Sequence, residues 1–201
     1  MNKYFIVHKP FNVLSQFSPS DGKLTLKDFF NVPPNVYPVG RLDYDSEGLL
    51  ILTDDKKLNH DLLDPLKKHE REYWVQVEGK VSPEQIQWLE KGVEIKVNGK
   101  MYATKKCVAE KFDSPPPVSP RNPPIRFRKS VPDSWIKIIL TEGKNRQVRK
   151  MTAAAGCPTL RLIRYRIEGI TIENLHPGKI KNLPKQELYN LLKINKDKLR
   201  W

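Results

Sequence analysis

The stretch PVGRLDYDSEGLLILTDD, residues 38–55, is the part of this chain whose reading decides the fold. Its second half, LLILT (49–53), is a continuous apolar run bounded by Gly48 and Asp54, the pattern of a strand buried on both faces. Just upstream, Asp43, Asp45 and Glu47 crowd around Arg41. Gly40 to Gly48 therefore lies between a proline-rich loop and the core, a rigidly held segment of the kind that carries reactive groups. The same residues also read as an ordinary turn, with Asp45, Ser46 and Glu47 satisfying their own backbone and Arg41 paired to Asp45 or Glu47.

Outward from this segment the pattern is one of short strands and few helices. YFIVHK (4–9) and VLSQF (13–17) read as strands around the turn at 9–12, a predicted opening hairpin. LTLKDFF (24–30) has helical spacing and ends at Pro33-Pro34. Asp54 is placed to cap a helix over KKLNHDLL, which Asp64-Pro65 closes. EYWVQVEG (72–79) alternates as a strand, and Ser82-Pro83-Glu84 starts a helix running through Leu89. Residues 93–110 read as two strands around Asn98-Gly99, a strong hairpin signal.

Residues 113–133 hold seven prolines and four basic residues, which predicts a loop and excludes a helix or central strand. It reads as a linker, or as a segment in which Arg121, Arg126, Arg128 and Lys129 touch phosphates. SWIKIILTEG (134–143) is another strand and Lys144 to Ala155 a helix stopped by Gly156 and Pro158. TLRLIRYRIEGI (159–170) predicts a strand with one face in the core and its arginines toward a partner. PKQELYNLLKIN is a short amphipathic helix. The sum is an α+β fold with a mixed, largely antiparallel sheet and flanking helices, a single domain over 1–201 with room for two lobes.

Composition narrows the function classes. Lys and Arg outnumber Asp and Glu by 36 to 23, giving a net charge of +13. The excess is uneven: residues 1–70 carry −1, 71–140 carry +5 and 141–201 carry +9. Such a balance favours a phosphate backbone as partner. No apolar run approaches the roughly 20 residues of a membrane span. The N-terminus lacks the pattern of a secretion signal, and a cytoplasmic location fits two cysteines, Cys107 and Cys157, that are expected inside. Neither these nor the four histidines have metal-site spacing, so no metal is expected. No long apolar surface helix is evident, which predicts a monomer.

Two further segments can carry chemistry. In EGKNRQVRKM (142–151), a helix would place Arg146, Arg149 and Lys150 at i, i+3 and i+4, a cationic cluster or a plain solvated face. An arginine fork matches a carboxylate bidentately and favours its charged form. In REYWVQV (71–77), Tyr73 and Trp74 face opposite sides of the strand, so one belongs to the core and the other can face a cleft.

Together with the HKP turn, these segments resemble one group of ribosomal RNA pseudouridine synthases, in which the A enzyme of the small subunit stands with the B, E and F enzymes of the large one. The central signature of that family is similar to GRLDYDSEGLLILTDD, its tyrosine strand to REYWVQV, and its third motif to EGKNRQVRKMTAAAGCPTLRLIRYRIEGI. HKPFNVLSQF and LHPGKIKNLPKQEL extend the resemblance over nearly the whole chain. No S4-type RNA-binding domain precedes HKPFNV, and that absence together with PPPVSPRNPPIRFRK makes the chain look most like a large-subunit member of the group, which implies 23S ribosomal RNA as partner.

The resemblance implies that Asp43 is the catalytic aspartate, forming a covalent adduct with a flipped-out uridine while its base is detached, rotated and rejoined, with no cofactor. It implies Arg149 as the ion-pair partner of Asp43, Tyr73 as the residue packed on the base and a candidate proton acceptor, and Leu162 as the opposite wall. Arg41 would fill the place vacated in the RNA stack. Lys9, Lys144, Arg146, Arg164 and Arg166 would be phosphate or pocket contacts, and Arg126 and Arg128 would bind the RNA backbone. Rival readings are the same reaction on 16S or another RNA, and a non-catalytic RNA-binding assembly factor.

Overall fold

The computed structural model describes residues 2–125 and 131–194. They fall into two compact units, one built from residues 1–69 and 164–201 and the other from residues 70–163. Arg126 and Arg128 lie outside the described residues. The fold is α+β.

The first unit opens with β1 (Tyr4–Lys9), followed by β2 (Val13–Leu14). These do not form the expected hairpin. β2 pairs in parallel with β3 (Leu24–Thr25), while β1 pairs antiparallel with β5 (Glu47–Thr53), from Tyr4↔Thr53 to Lys9↔Gly48. The reason is burial: all seven residues of β5 are buried and need a long partner on the core side, which the two residues of β2 cannot supply. LTLKDFF forms only one 3-10 turn, Leu26–Asp28, entered through Thr25, whose amide and hydroxyl both donate to the Asp28 carboxylate. β4 (Tyr37–Pro38) pairs with β5 at Tyr37↔Thr53 and Pro38↔Leu52. Val7, Val13, Leu26, Phe30, Val36, Leu50 and Leu52 form one core cluster, where a fully buried Leu or Phe contributes about 1.5–3 kcal/mol.

Helix α1 (Lys56–Leu63) is capped by Asp55 and not by the expected Asp54. Asp55 Oδ1 accepts from the amides of Lys57 and Leu58, while Asp54 accepts from the Lys3 amide and the Asn35 side chain. The other carboxylate oxygen of Asp55 accepts hydrogen bonds of 2.7 Å from both Tyr4 and Tyr189.

The second unit begins with β6 (Arg71–Glu78), then α2 (Pro83–Lys91), whose Ser82 and Gln85 make a reciprocal capping box. The hairpin β7 (Glu94–Val97) and β8 (Lys100–Ala103) turns at Asn98-Gly99 as expected. The sequence pattern carries β8 on to residue 110, but the strand ends at Ala103 and a separate one, β9 (Val108–Lys111), pairs with β10 (Asp133–Leu140). β10 pairs along its length with β6, from Asp133↔Glu78 to Leu140↔Arg71. No helix or strand occurs in the described part of 113–132.

Helix α3 (Gln147–Ala154) starts three residues later than Lys144. Arg146 precedes it at φ 52°, in the left-handed region, so the cationic face at i, i+3 and i+4 does not form as a helical stripe. The boundary between the units falls within β11 (Thr159–Ile167). The first unit then resumes with β12 (Ile170–Thr171), which pairs with the end of β11, β13 (Ile180–Asn182), which pairs with β1, and α4 (Lys185–Leu191).

Candidate active site

The segment 40–47 is fixed at both ends by the first unit. The Val39 amide donates to Ile51 O at 2.8 Å, extending the pairing of β4, and the chain re-enters the sheet at Glu47. Gly48 is obligatory at that point. Its φ is 112°, and a Cβ there would lie 2.3 Å from the carbonyl oxygen of Arg164 and 2.6 Å from its nitrogen. Ser46 and Glu47 are buried, Asp43, Tyr44 and Asp45 half-buried, and Arg41 exposed. The turn reading is correct in part: the Ser46 amide donates to Asp43 O at 3.0 Å, but Glu47 belongs to β5.

Leu42 is held by a residue from β2's own loop. Ser15 Oγ accepts from the Leu42 amide at 3.0 Å and donates to the Leu42 carbonyl at 2.8 Å. Lys9 is fully buried beside this turn, with Nζ donating to Val13 O at 2.7 Å and Pro10 O at 2.9 Å. Burial pushes its ammonium down to about 7, against the attraction of Glu47, Asp45 and Asp43 and with the repulsion of Arg164. Arg164 is itself buried and donates from Nε to Leu49 O at 2.8 Å. Lys9 and Arg164, expected as phosphate or pocket contacts, are thus both buried, and with Arg161 buried too the arginine face expected on β11 is largely turned inward. Arg166 is half-buried and donates to Glu168 O at 2.6 Å.

In the second unit, Tyr73 lies on the same side of β6 as Val75 and Val77 and packs on the apolar cluster there. Leu162 is a buried member of that cluster. Trp74 takes the other face, donating to Glu72 at 2.8 Å and meeting Phe112 edge-on at 5.4 Å. Arg149 is half-buried on α3, while Lys144 and Arg146 are exposed before it.

The loop leading to α3 is organised by two residues that sequence reasoning missed. Buried Glu142 accepts from Tyr102 at 2.5 Å, from the Lys105 amide at 2.9 Å and from Gln147 at 2.7 Å. Burial alone would raise its pKa, but these donors outweigh it and hold the carboxyl below its ordinary range. Gln147 in turn accepts from the Lys144 amide at 2.9 Å, and Lys144 Nζ lies 4.8 Å from the Tyr102 ring centre. No local periodicity links 102, 105, 142 and 147, so only the fold reveals the arrangement.

The structure thus gathers Asp43, Lys9 and Arg164 in the first unit, and places Tyr73 and Leu162 on one apolar cluster in the second. Asp43 and Arg149 belong to different units. Among the described residues no three or more His, Cys, Asp or Glu side chains are arranged to hold a metal ion, and no helix is long and apolar enough to cross a membrane.

The profile of the family described as RNA pseudouridylate synthase matches residues 3–154. A Xanthomonas campestris protein named ribosomal large subunit pseudouridine synthase E is 47% identical over 87% of this chain and 91% of its own length. The Vibrio vulnificus protein of the same name is 45% identical over 90% of this chain and 75% of its own length. A crystal structure of a pseudouridylate synthase superposes with a TM-score of 0.76 at 26% identity, covering 95% of this chain and 74% of that one. The chain is accordingly an isomerase, and it belongs to the RNA pseudouridylate synthase family.

Proposed function

We propose that this protein converts a uridine of 23S ribosomal RNA into pseudouridine, in the cytoplasm and as a monomer, with Asp43 as the nucleophile. The observation that carries the substrate assignment is the similarity of about nine-tenths of the chain to proteins named as large-subunit synthases. Asp43 is supported by its placement: a half-buried carboxylate on a loop whose two ends are locked to the core.

In this reading the target uridine leaves the RNA stack, because a carboxylate cannot reach the glycosidic bond of a stacked base. Exposed Arg41 takes the vacated place. Asp43 forms a covalent bond to the nucleotide, the bond from N1 to the sugar breaks, the base turns, C5 bonds to the sugar, and the bond to Asp43 is then broken, which returns the free carboxylate. C5 loses a proton and N1 gains one, so the product is an isomer and nothing is consumed. Tyr73 packs on the base and accepts the C5 proton, Leu162 forms the facing wall, and Arg149 is the ion-pair partner of Asp43. Lys144, Arg146 and Arg166 supply positive charge for the RNA, as do Arg126 and Arg128.

The test is pseudouridine mapping of 23S and 16S rRNA in cells lacking this protein, complemented with wild type or Asp43→Asn. Reversion of one 23S position to uridine, restored by wild type alone, is the expected result. Unchanged 23S rRNA in the deletion strain would sink the substrate assignment, and rescue by Asp43→Asn would sink the nucleophile assignment.

A further inference from the structure

We propose that Ser15 is a positioning residue for Asp43, its one hydroxyl gripping both the amide and the carbonyl of Leu42 and so fixing how the next residue leaves the chain. The inference rests on the reading of Asp43 as nucleophile.

A serine hydroxyl has one proton to give and lone pairs to accept with. Here both capacities go to the same residue: the Leu42 amide donates to Oγ at 3.0 Å and Oγ donates to the Leu42 carbonyl at 2.8 Å. Ser15 and Leu42 are each 7% exposed, so water does not stand ready to replace either bond. A pair of bonds to one peptide residue restrains its orientation, where a single bond would act as a pivot. On the far side, the Asp43 carbonyl accepts from the Ser46 amide at 3.0 Å. The backbone at Asp43 is therefore tied both before and after the side chain.

Ser15 is in turn held by its surroundings. Leu14 before it pairs with Thr25, and the carbonyl of Gln16 after it accepts from the Leu26 amide at 2.9 Å. The buried Lys9 ammonium binds the carbonyls of Pro10 and Val13 and so closes the turn leading to Ser15. This gives Lys9 a use other than phosphate binding: it braces the segment that braces the aspartate. A nucleophile must sit within a few tenths of an ångström of its productive position, and displacements near 1 Å reduce rates by about 100-fold.

The experiment compares wild type, Ser15→Ala, Ser15→Thr and Asp43→Asn. Single-turnover pseudouridine formation is measured on 23S rRNA transcript with enzyme in excess, alongside RNA affinity and thermal melting, with rates normalised to binding-competent protein. Ser15→Ala is expected to lower the single-turnover rate roughly 10- to 100-fold while leaving RNA affinity within about two-fold of wild type. Ser15→Thr keeps the hydroxyl and is expected to recover most of the rate. An alanine variant as fast as wild type overturns the proposal, as does one whose rate falls only in step with RNA affinity. A threonine variant that melts like wild type yet is as slow as alanine overturns it too. If Asp43→Asn retains the wild-type rate, the nucleophile reading itself fails and the role of Ser15 falls with it, an outcome distinct from a fast Ser15→Ala beside an inactive Asp43→Asn.

Discussion

Replacing Asp55 with alanine should damage the first unit out of proportion to the size of the change. Its carboxylate caps α1 through the amides of Lys57 and Leu58 and accepts the hydroxyls of Tyr4 and Tyr189, all in one buried cluster. Loss of the cap costs about 1 kcal/mol. Each tyrosine hydroxyl left buried without an acceptor costs about 1–3 kcal/mol more. The expected destabilisation of Asp55→Ala is therefore about 3–7 kcal/mol, a large share of the roughly 5–15 kcal/mol that holds an ordinary domain together.

The same cluster predicts a pH signature. Burial acts to raise the Asp55 pKa, but the hydrogen bonds from Tyr4, Tyr189 and the Leu58 amide more than compensate and hold it at about 2. A depressed carboxylate contributes stability that is fully present above its unfolded value of about 3.9 and is lost as pH falls through the folded one. The shift corresponds to about 2 kcal/mol. Tyr4 mirrors this on the alkaline side, pushed up to about 12 by burial first and then by Asp55, so its contribution is present below its unfolded pKa of about 10 and disappears as pH rises past the folded value. Urea unfolding followed by far-UV circular dichroism, at a series of pH values, measures both. If Asp55→Ala lost less than about 1 kcal/mol at neutral pH, or kept the wild-type slope between about pH 4 and 2, the reasoning would be refuted.

Other expectations are sharper in direction than in size. Gly48→Ala should unfold the protein or destabilise it by more than about 4 kcal/mol, since its Cβ would meet the Arg164 backbone; a melting temperature near wild type would contradict the geometry. Arg149→Glu should abolish isomerisation while changing RNA affinity much less, whereas Arg126→Gln with Arg128→Gln should weaken binding and flatten its salt dependence by about 0.7 per lost contact on single strands. Equal effects of the two on rate and affinity would break that division. Cys107, whose thiol burial pushes up to about 11, and Cys157, raised for the same reason, should react slowly with iodoacetamide at pH 8 in the native protein; rapid labelling before unfolding would show that they are open.

The core strand, the Asn98-Gly99 hairpin, the cap at Ser82 and the alternating strand of Tyr73 were legible because each is a local signal: an apolar run, a turn dipeptide, a capping residue, a period of two. The errors arose where distant partners decided the outcome. VLSQF has strand composition, yet β5 took the place beside β1 that a hairpin would have given it. Asp54 and Asp55 are adjacent and chemically alike, and which one caps α1 depends on Tyr4 and Tyr189, far away in sequence. The arginines of β11 suggested an outward face, whereas Arg164 turns in to a carbonyl of β5. For the site, the resemblance supplied Asp43, but nothing local singled out Ser15, Glu142 or Gln147, because their work is to bind backbone and polar groups brought near by folding.

The first unit is discontinuous in sequence, and that bears on how the chain is made. Residues 70–163 leave the ribosome as one uninterrupted length, so the second unit has all of its parts before the first does. β1 is made ahead of the whole second unit, yet its neighbour β13 follows more than 170 residues later, as does Tyr189. At about 5–20 residues per second, one side of β1 stays an open edge for roughly 10–35 s. An unpaired edge of this kind is where nascent chains associate wrongly. Vectorial synthesis therefore leaves YFIVHK a segment in need of a chaperone's cover.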